Sequence, residues 1–289
     1  KKGVLYKRLR VLPTQSDREA YARIVGQKDY EYRSPVTNSY DYFSRRIRDL
    51  INDEAEAEEA YTGISVRDIV IATLSGLECV LITAGPDDNA HRIFQSLNNT
   101  GLPLTQADLI RNYVFMRLDE KQDDFYEFTW KQLEGRFSPE EFTQLFWLDL
   151  ILDGYDVTQR QTYVHQQRVM ESMSKKEITA KITSLSSRAD VWDTILHPEK
   201  EHSRKIRLRL QRMKEWGTTT AAPTLMYLLE QRRSGTATIP QVARAMLYLE
   251  SYFVRRVVVG RATMNMNRVL MDAPGRLQED ERPVDVALR

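Results

Sequence analysis

From about residue 120 onward, apolar side chains recur at every third or fourth position, the period of an α-helix that buries one face. Stretches near residues 122–134, 139–153, 160–173, 175–195, 203–216, 222–233 and 239–259 each carry this pattern. In the last of them Val242, Met246, Leu249, Phe253 and Val257 keep the 3,4 spacing. Ser138-Pro139-Glu140-Glu141 is a helix start, because proline is tolerated at the first helical position and acids suit the positive end of the helix dipole. The Trp and Tyr residues follow the apolar positions and are expected in the core rather than as stacking platforms. No internal repeat or sustained heptad runs through the chain. From Asp272 to Arg289 it turns rich in proline and charge with little periodicity, which reads as a linker or tail.

The first hundred residues are mixed. Val4 to Leu12 alternates with period two, as a strand with one basic face does, and Cys79-Val80-Leu81-Ile82-Thr83 is a second strand-like run. Ser16 and Glu19 have capping-box spacing for a helix ending near Gly26. Residues 30–38, with Ser34-Pro35, read as a loop. Tyr40, Phe43, Ile47 and Leu50 mark a long helix running into the acidic, alanine-rich patch Asp53 to Glu59, which reads as a solvated face. Val66, Ile69, Val70, Thr73 and Leu74 form another helical stripe.

The densest signal lies near residue 100. Asp87 and Asp88 open a short helix carrying Ala90, Ile93, Phe94 and Leu97, and Gly101 stops it, since glycine enters the left-handed region without steric cost. Leu102-Pro103-Leu104 cannot continue a helix, and Thr105 starts the next one with Asp108 three residues on. Asn98, Thr100, Gly101, Asp108, Arg111 and Asn112 gather around this junction. Backbone N–H groups at a helix start attract phosphate, so the junction is a candidate anion site; its plain alternative is that these residues cap and brace two helices. The fold class is therefore expected to be mainly α, a helical bundle attached to a small α/β part. The expected divisions are residues 1–118, 119–271 and a tail, 272–289.

Charge adds one local feature. The 289 residues sum to a net +1, which names no partner, but residues 201–270 hold thirteen Lys/Arg against four Asp/Glu. In the segment from Arg204 to Lys214, Ile206, Leu210 and Met213 share one face while Arg204, Lys205, Arg207, Arg209 and Arg212 cover the rest. With Arg255 and Arg256 further on, this is a candidate surface for a DNA backbone, against the alternative of a solvated amphipathic helix. No zinc-finger, homeodomain or RNA-binding signature supports reading of bases.

The single cysteine, Cys79, sits in an apolar run, excludes an internal disulfide and fits a reducing cytoplasm. No run of about 18 apolar residues is present, so no membrane partner is expected. The chain opens at Lys1 and is expected to be a piece of a longer protein. Walker-type, G-x-S-x-G and H-E-x-x-H patterns are missing, and the loop between His197 and His202 reads as polar and exposed rather than metal-binding.

The run F-x-x-L-N-x-x-G-x-x-L-x-x-x-D-L-I-R-N from Phe94 to Asn112, preceded by Asp87-Asp88-x-Ala90, resembles the N-terminal region of GmrSD-type modification-dependent restriction endonucleases. The phosphorothioate-sensing nickase of bacterial Ssp anti-phage defence systems is a relative. Phe253-Val254-Arg255-Arg256, with Gly260, Thr263, Asn265 and Asn267, looks like the end of that region, so the resemblance covers most of residues 1–271. It implies a ParB/sulfiredoxin-like core that binds and hydrolyses an NTP (GTP or ATP, with Mg), a helical extension, and a separate His-Asn-His nuclease domain in the same chain that cuts or nicks foreign or modified DNA. The family's Asp-Gly-Gln-Gln-Arg motif is not in this sequence, nor is the nuclease domain. The resemblance thus carries over only the Asn98–Asn112 motif, as support beside a nucleotide pocket. Two other functions fit the residues: a helical scaffold or protein-interaction domain with no nucleotide role, and a sequence-indifferent DNA-binding module.

Overall fold

The computed structural model describes residues 13, 15–30, 33–52, 64–78, 104–118, 123–217, 220–260 and 266–288. The chain divides into two compact units, Lys1–Gly85 and Pro86–Arg289. Among the described residues all regular structure is helical and none is strand, so the molecule is mainly α. Both expected strands, 4–12 and 79–83, lie outside the described residues.

In the first unit α1 (Gln15–Val25) packs on α2 (Pro35–Asn52). The expected loop at 30–38 ends earlier than its proline suggested. Ser34 caps the helix, its hydroxyl accepting from the Thr37 N–H at 3.1 Å, and Pro35 takes the first helical position. The third described helix of this unit, α3 (Val66–Gly76), starts at a capping box in which Asp68 accepts from the Ser65 N–H. The Val66 stripe is helical as expected, yet no residue of α3 is buried.

The second unit is built around two helices that are apolar nearly all round. α6 (Pro139–Leu152) buries every residue from Leu145 to Leu152, and α10 (Ala222–Arg233) buries every residue from Ala222 to Leu229. A helix without a polar face has to be enclosed. Accordingly α4 (Gln106–Leu118), α7 (Thr162–Glu171), α8 (Lys175–Leu196) and α12 (Met266–Glu279) all pack on α6, and α8, α11 (Ile239–Val258) and α12 pack on α10. α9 (Arg204–Glu215) lies along α11, and α13 (Val284–Ala287) closes on α11. The stretch 123–134, α5, contains a π-helical turn, Tyr126–Trp130, which widens the helix while Tyr126 and Trp130 enter the core. Trp130, Trp147 and Trp192 are core residues as expected, whereas Trp216 is exposed.

Two expectations about division change. The helix after the Gly101 junction belongs to the second unit, because Ile110, Tyr113 and Val114 are buried in its core, so the boundary falls near residue 85 instead of 118. The expected tail is helical as well. Met266, Leu270, Pro274 and Leu277 form a buried stripe on α12 despite the proline inside it. Pro274 has no N–H to give the carbonyl of Leu270, four residues back. The hydroxyl of the fully buried Thr224, on α10, donates to that carbonyl at 3.0 Å instead. A proline that locally signals chain termination is thus accommodated by a neighbouring helix.

Candidate nucleic-acid interface

The basic helix α9 forms where the sequence places it, and Ile206, Leu210 and Met213 are its buried residues, facing α11. α11 starts at a Thr238/Gln241 capping box with Pro240 in its first turn. Its apolar stripe is buried as far as Phe253 and then runs out, since Val257 is exposed. Between α9 and α11 lies a shallow cavity of about 390 Å³, lined by Lys205, Leu208, Arg209, Arg212, Arg244 and Leu247. Leu208 and Leu247 lie partly open to solvent between the cations.

The tertiary structure divides the seven candidate cations into two groups. Arg209 and Arg212 both pair with Glu250 of α11, at 2.6 and 3.2 Å. Arg207 donates to the Glu201 carbonyl at 3.2 Å, and Arg256 lies over the Tyr252 ring and donates to its hydroxyl. Arg204, Lys205 and Arg255 are exposed, and their side chains make no hydrogen bond or ion pair among the described residues. Arg212 also reaches solvent, with 55% of its side chain exposed in spite of Glu250. Lys214 serves α8 by donating to Leu196 O at 2.8 Å, a cation at the negative end of that helix. Sequence reasoning missed Arg244, which adds a charge to the groove while pairing with the buried Asp285 at 3.1 Å. The excess of bases over residues 201–270 was the available signal; only the packing of α11 shows that Arg244 faces α9.

The polar cluster around residue 108 is tied together more closely. Thr105 and Asp108 form the expected capping box: the Thr105 N–H donates to Asp108 Oδ2 at 3.0 Å, and the Asp108 N–H donates to Thr105 Oγ1 at 3.1 Å. Arg111 pairs with Asp108 at 3.1 Å and with Glu134 of α5 at 2.8 Å. Asn112 is half-buried beside them. Asn98, Thr100 and Gly101 lie outside the described residues. The same helix brackets α7 at both ends: Gln106 Oε1 accepts from the Tyr163 N–H, and Arg117 donates to the carbonyls of Met170, Glu171 and Met173. Carbonyls at the end of a helix have no partners within it, so Arg117 acts as the cap of α7.

The most buried charges are elsewhere. Asp149 on α6 accepts from Lys181 and Arg188 of α8 and from Gln166 of α7, and Arg188 continues to Asp153 and to Glu230 of α10. Burial alone would raise the Asp149 carboxyl, but the charges of Lys181 and Arg188 outweigh it and hold it below its usual range. Burial pushes Glu230 up against the pull of Arg188. Glu201, expected on an exposed loop, is buried and pairs with Arg232 at 2.7 Å. These clusters join helices to one another, and no group of His, Cys, Asp and Glu suited to a metal ion occurs among the described residues. No described helix is long and apolar enough to cross a membrane.

Comparison with known protein families, with curated proteins and with solved structures finds no match to this chain.

Proposed function

We propose that this chain is part of a GmrSD-type anti-phage restriction protein and that the α9–α11 face of its second unit binds the phosphate backbone of DNA. In this reading the N-terminal region, with its expected α/β remnant, belongs to a ParB/sulfiredoxin-like part that binds and hydrolyses GTP or ATP with Mg. A His-Asn-His nuclease domain elsewhere in the protein cuts the DNA. The observation that carries the DNA reading is the division of α9: its apolar stripe is buried, while Arg204, Lys205, Arg212 and, on α11, Arg255 present charge to solvent. Arg111, engaged with Asp108 and Glu134, offers no free charge to a phosphate. In this reading Arg111 braces the helix start through Asp108 and Glu134, a supporting role beside a nucleotide pocket formed by other residues of the protein.

The test is duplex binding by the triple variant Arg204→Glu, Lys205→Glu, Arg255→Glu across a salt series. All three side chains are exposed. The melting temperature should therefore stay close to that of the parent. Affinity should fall at least about tenfold, and the slope of log K against log salt should flatten by about 0.9 for each phosphate that is no longer neutralised. Unchanged affinity and slope in a folded variant would remove DNA from this face.

A second reading, a protein-interaction domain, is favoured by one feature. Leu208 and Leu247 open between the cations of the groove, an arrangement that suits an acidic amphipathic helix better than a phosphate chain. Leu208→Ala with Leu247→Ala should leave duplex binding intact if DNA is the partner.

A further inference from the structure

A second cavity, about 610 Å³, lies apart from the α9–α11 face, where α6, the residues leading into α7 and the start of α12 meet. That volume is in the range of small-molecule sites, roughly 300–1,000 Å³. Trp147 and Met271 give the cavity apolar lining, and Trp147 is fixed in place because its indole N–H donates to Val157 O at 2.8 Å. Three carboxamides from three different segments also line it, Gln144 from α6, Gln159 from the turn before α7 and Asn267 from α12. None of the three has a side-chain hydrogen bond among the described residues, and Asp156 and Thr220 at the rim have none either. In the α9–α11 groove, by contrast, Arg209, Arg212 and Arg244 are all engaged with carboxylates. Among the described residues Arg268 is the cation that lines this second cavity, and it is 86% exposed and paired with Asp272 at 4.0 Å.

A carboxamide presents a donor and an acceptor side by side, the pattern that pairs with the edge of a nucleobase, while an indole and a thioether offer an apolar surface to its ring. A guanidinium at the rim suits a phosphate, which it can bind with two parallel hydrogen bonds. We propose that this cavity binds a nucleobase carrying a 5′-phosphate, its edge met by Gln144, Gln159 and Asn267 and its phosphate by Arg268. Such a group comes either from a free mononucleotide or from an unpaired base of a nucleic acid strand. The proposal does not depend on the basic face of α9.

The experiment is isothermal titration of the full chain with the four ribonucleoside 5′-monophosphates, the parent nucleosides, and a single-stranded DNA dodecamer. Saturable binding of at least one monophosphate or of the dodecamer is expected. Asn267→Ala and Gln144→Ala should each weaken it roughly tenfold or more, without a change in melting temperature for the exposed Asn267. Arg268→Ala should weaken the monophosphate and leave the nucleoside unchanged. A dodecamer that competes with the monophosphate identifies a strand as the source, and a dodecamer that does not bind identifies the free nucleotide. Absence of saturable binding up to millimolar ligand overturns the proposal, as does binding that Asn267→Ala and Gln144→Ala both leave unchanged. Failure of the α9 triple variant to alter duplex binding would leave this result untouched, so the two readings fail separately.

Discussion

Asp149 shows what a single residue does when tertiary structure surrounds it. The sequence places it on an apolar helix, where a carboxylate is costly unless paired. Lys181, Arg188 and Gln166 supply that pairing from two other helices. Asp149→Asn would leave two largely buried cations short of their partner, and a loss of about 3–5 kcal/mol is expected at neutral pH by urea unfolding. The pH dependence follows from the directions of the shifts. Asp149 has its folded value depressed, so its stabilisation is complete above the unfolded carboxyl range near about 3.9 and is lost as pH falls through the lower folded value. Glu230, raised, works the other way and reduces stability as pH climbs past the unfolded glutamate range near about 4.3. Urea midpoints should therefore rise with pH on the acid side in the parent, and rise less steeply in Asp149→Asn.

At the scale of the element, Thr224 and Pro274 form a pair that neither helix reveals alone. If the Thr224 hydroxyl replaces the missing intrahelical donor, Thr224→Val should cost about 1–3 kcal/mol by leaving the Leu270 carbonyl buried and unpaired. Pro274→Ala restores an N–H to the helix, so the same threonine substitution in that background should cost markedly less. A double-mutant cycle measured by chemical denaturation reads the coupling directly, and equal costs in both backgrounds would show that the hydroxyl does not serve the proline. α9 illustrates the converse. Its basic residues look uniform along the sequence, but one flank meets Glu250 on α11 and the other meets the carbonyls of Leu196 and Glu201. Charge on a helix becomes a binding surface only where its neighbours leave it unneutralised.

For the whole molecule the division near residue 85 carries a prediction. The second unit holds α6 and α10 with the helices that enclose them, and the core of buried apolar residues from Ala107 to Val284 lies within it. Residues 86–289 expressed alone should unfold in one cooperative urea transition, with a midpoint close to that of the corresponding transition in the full chain. A fragment without a transition would mean that this unit does not fold by itself. The first unit has little to bury among its described residues: Tyr42, Phe43, Val66 and Leu74 are all more than half exposed.

The helical positions were legible in the sequence because their causes are local. A 3,4 spacing of apolar residues, Ser138 or Thr238 ahead of a helix with Glu141 or Gln241 three residues on, and Thr105 paired with Asp108 act within one or two turns of the chain. The candidate site was legible in part: Ile206, Leu210 and Met213 were readable as the buried side of α9, but the partners of Arg207, Arg209 and Arg212 were not. Arg207 takes a carbonyl beyond the helix start, and the other two take a carboxylate some forty positions on, at Glu250. The cations around Asp149, the hydroxyl beneath Pro274 and the three carboxamides around Trp147 likewise come from separate segments. Sequence by itself therefore determined where most of the helices lie and which of their faces are apolar, though not the helix over Met266–Glu279, read as a tail. Only the tertiary structure decided which charges are left free, because a charge is neutralised by whatever packs against it, and packing brings together residues that no local pattern relates.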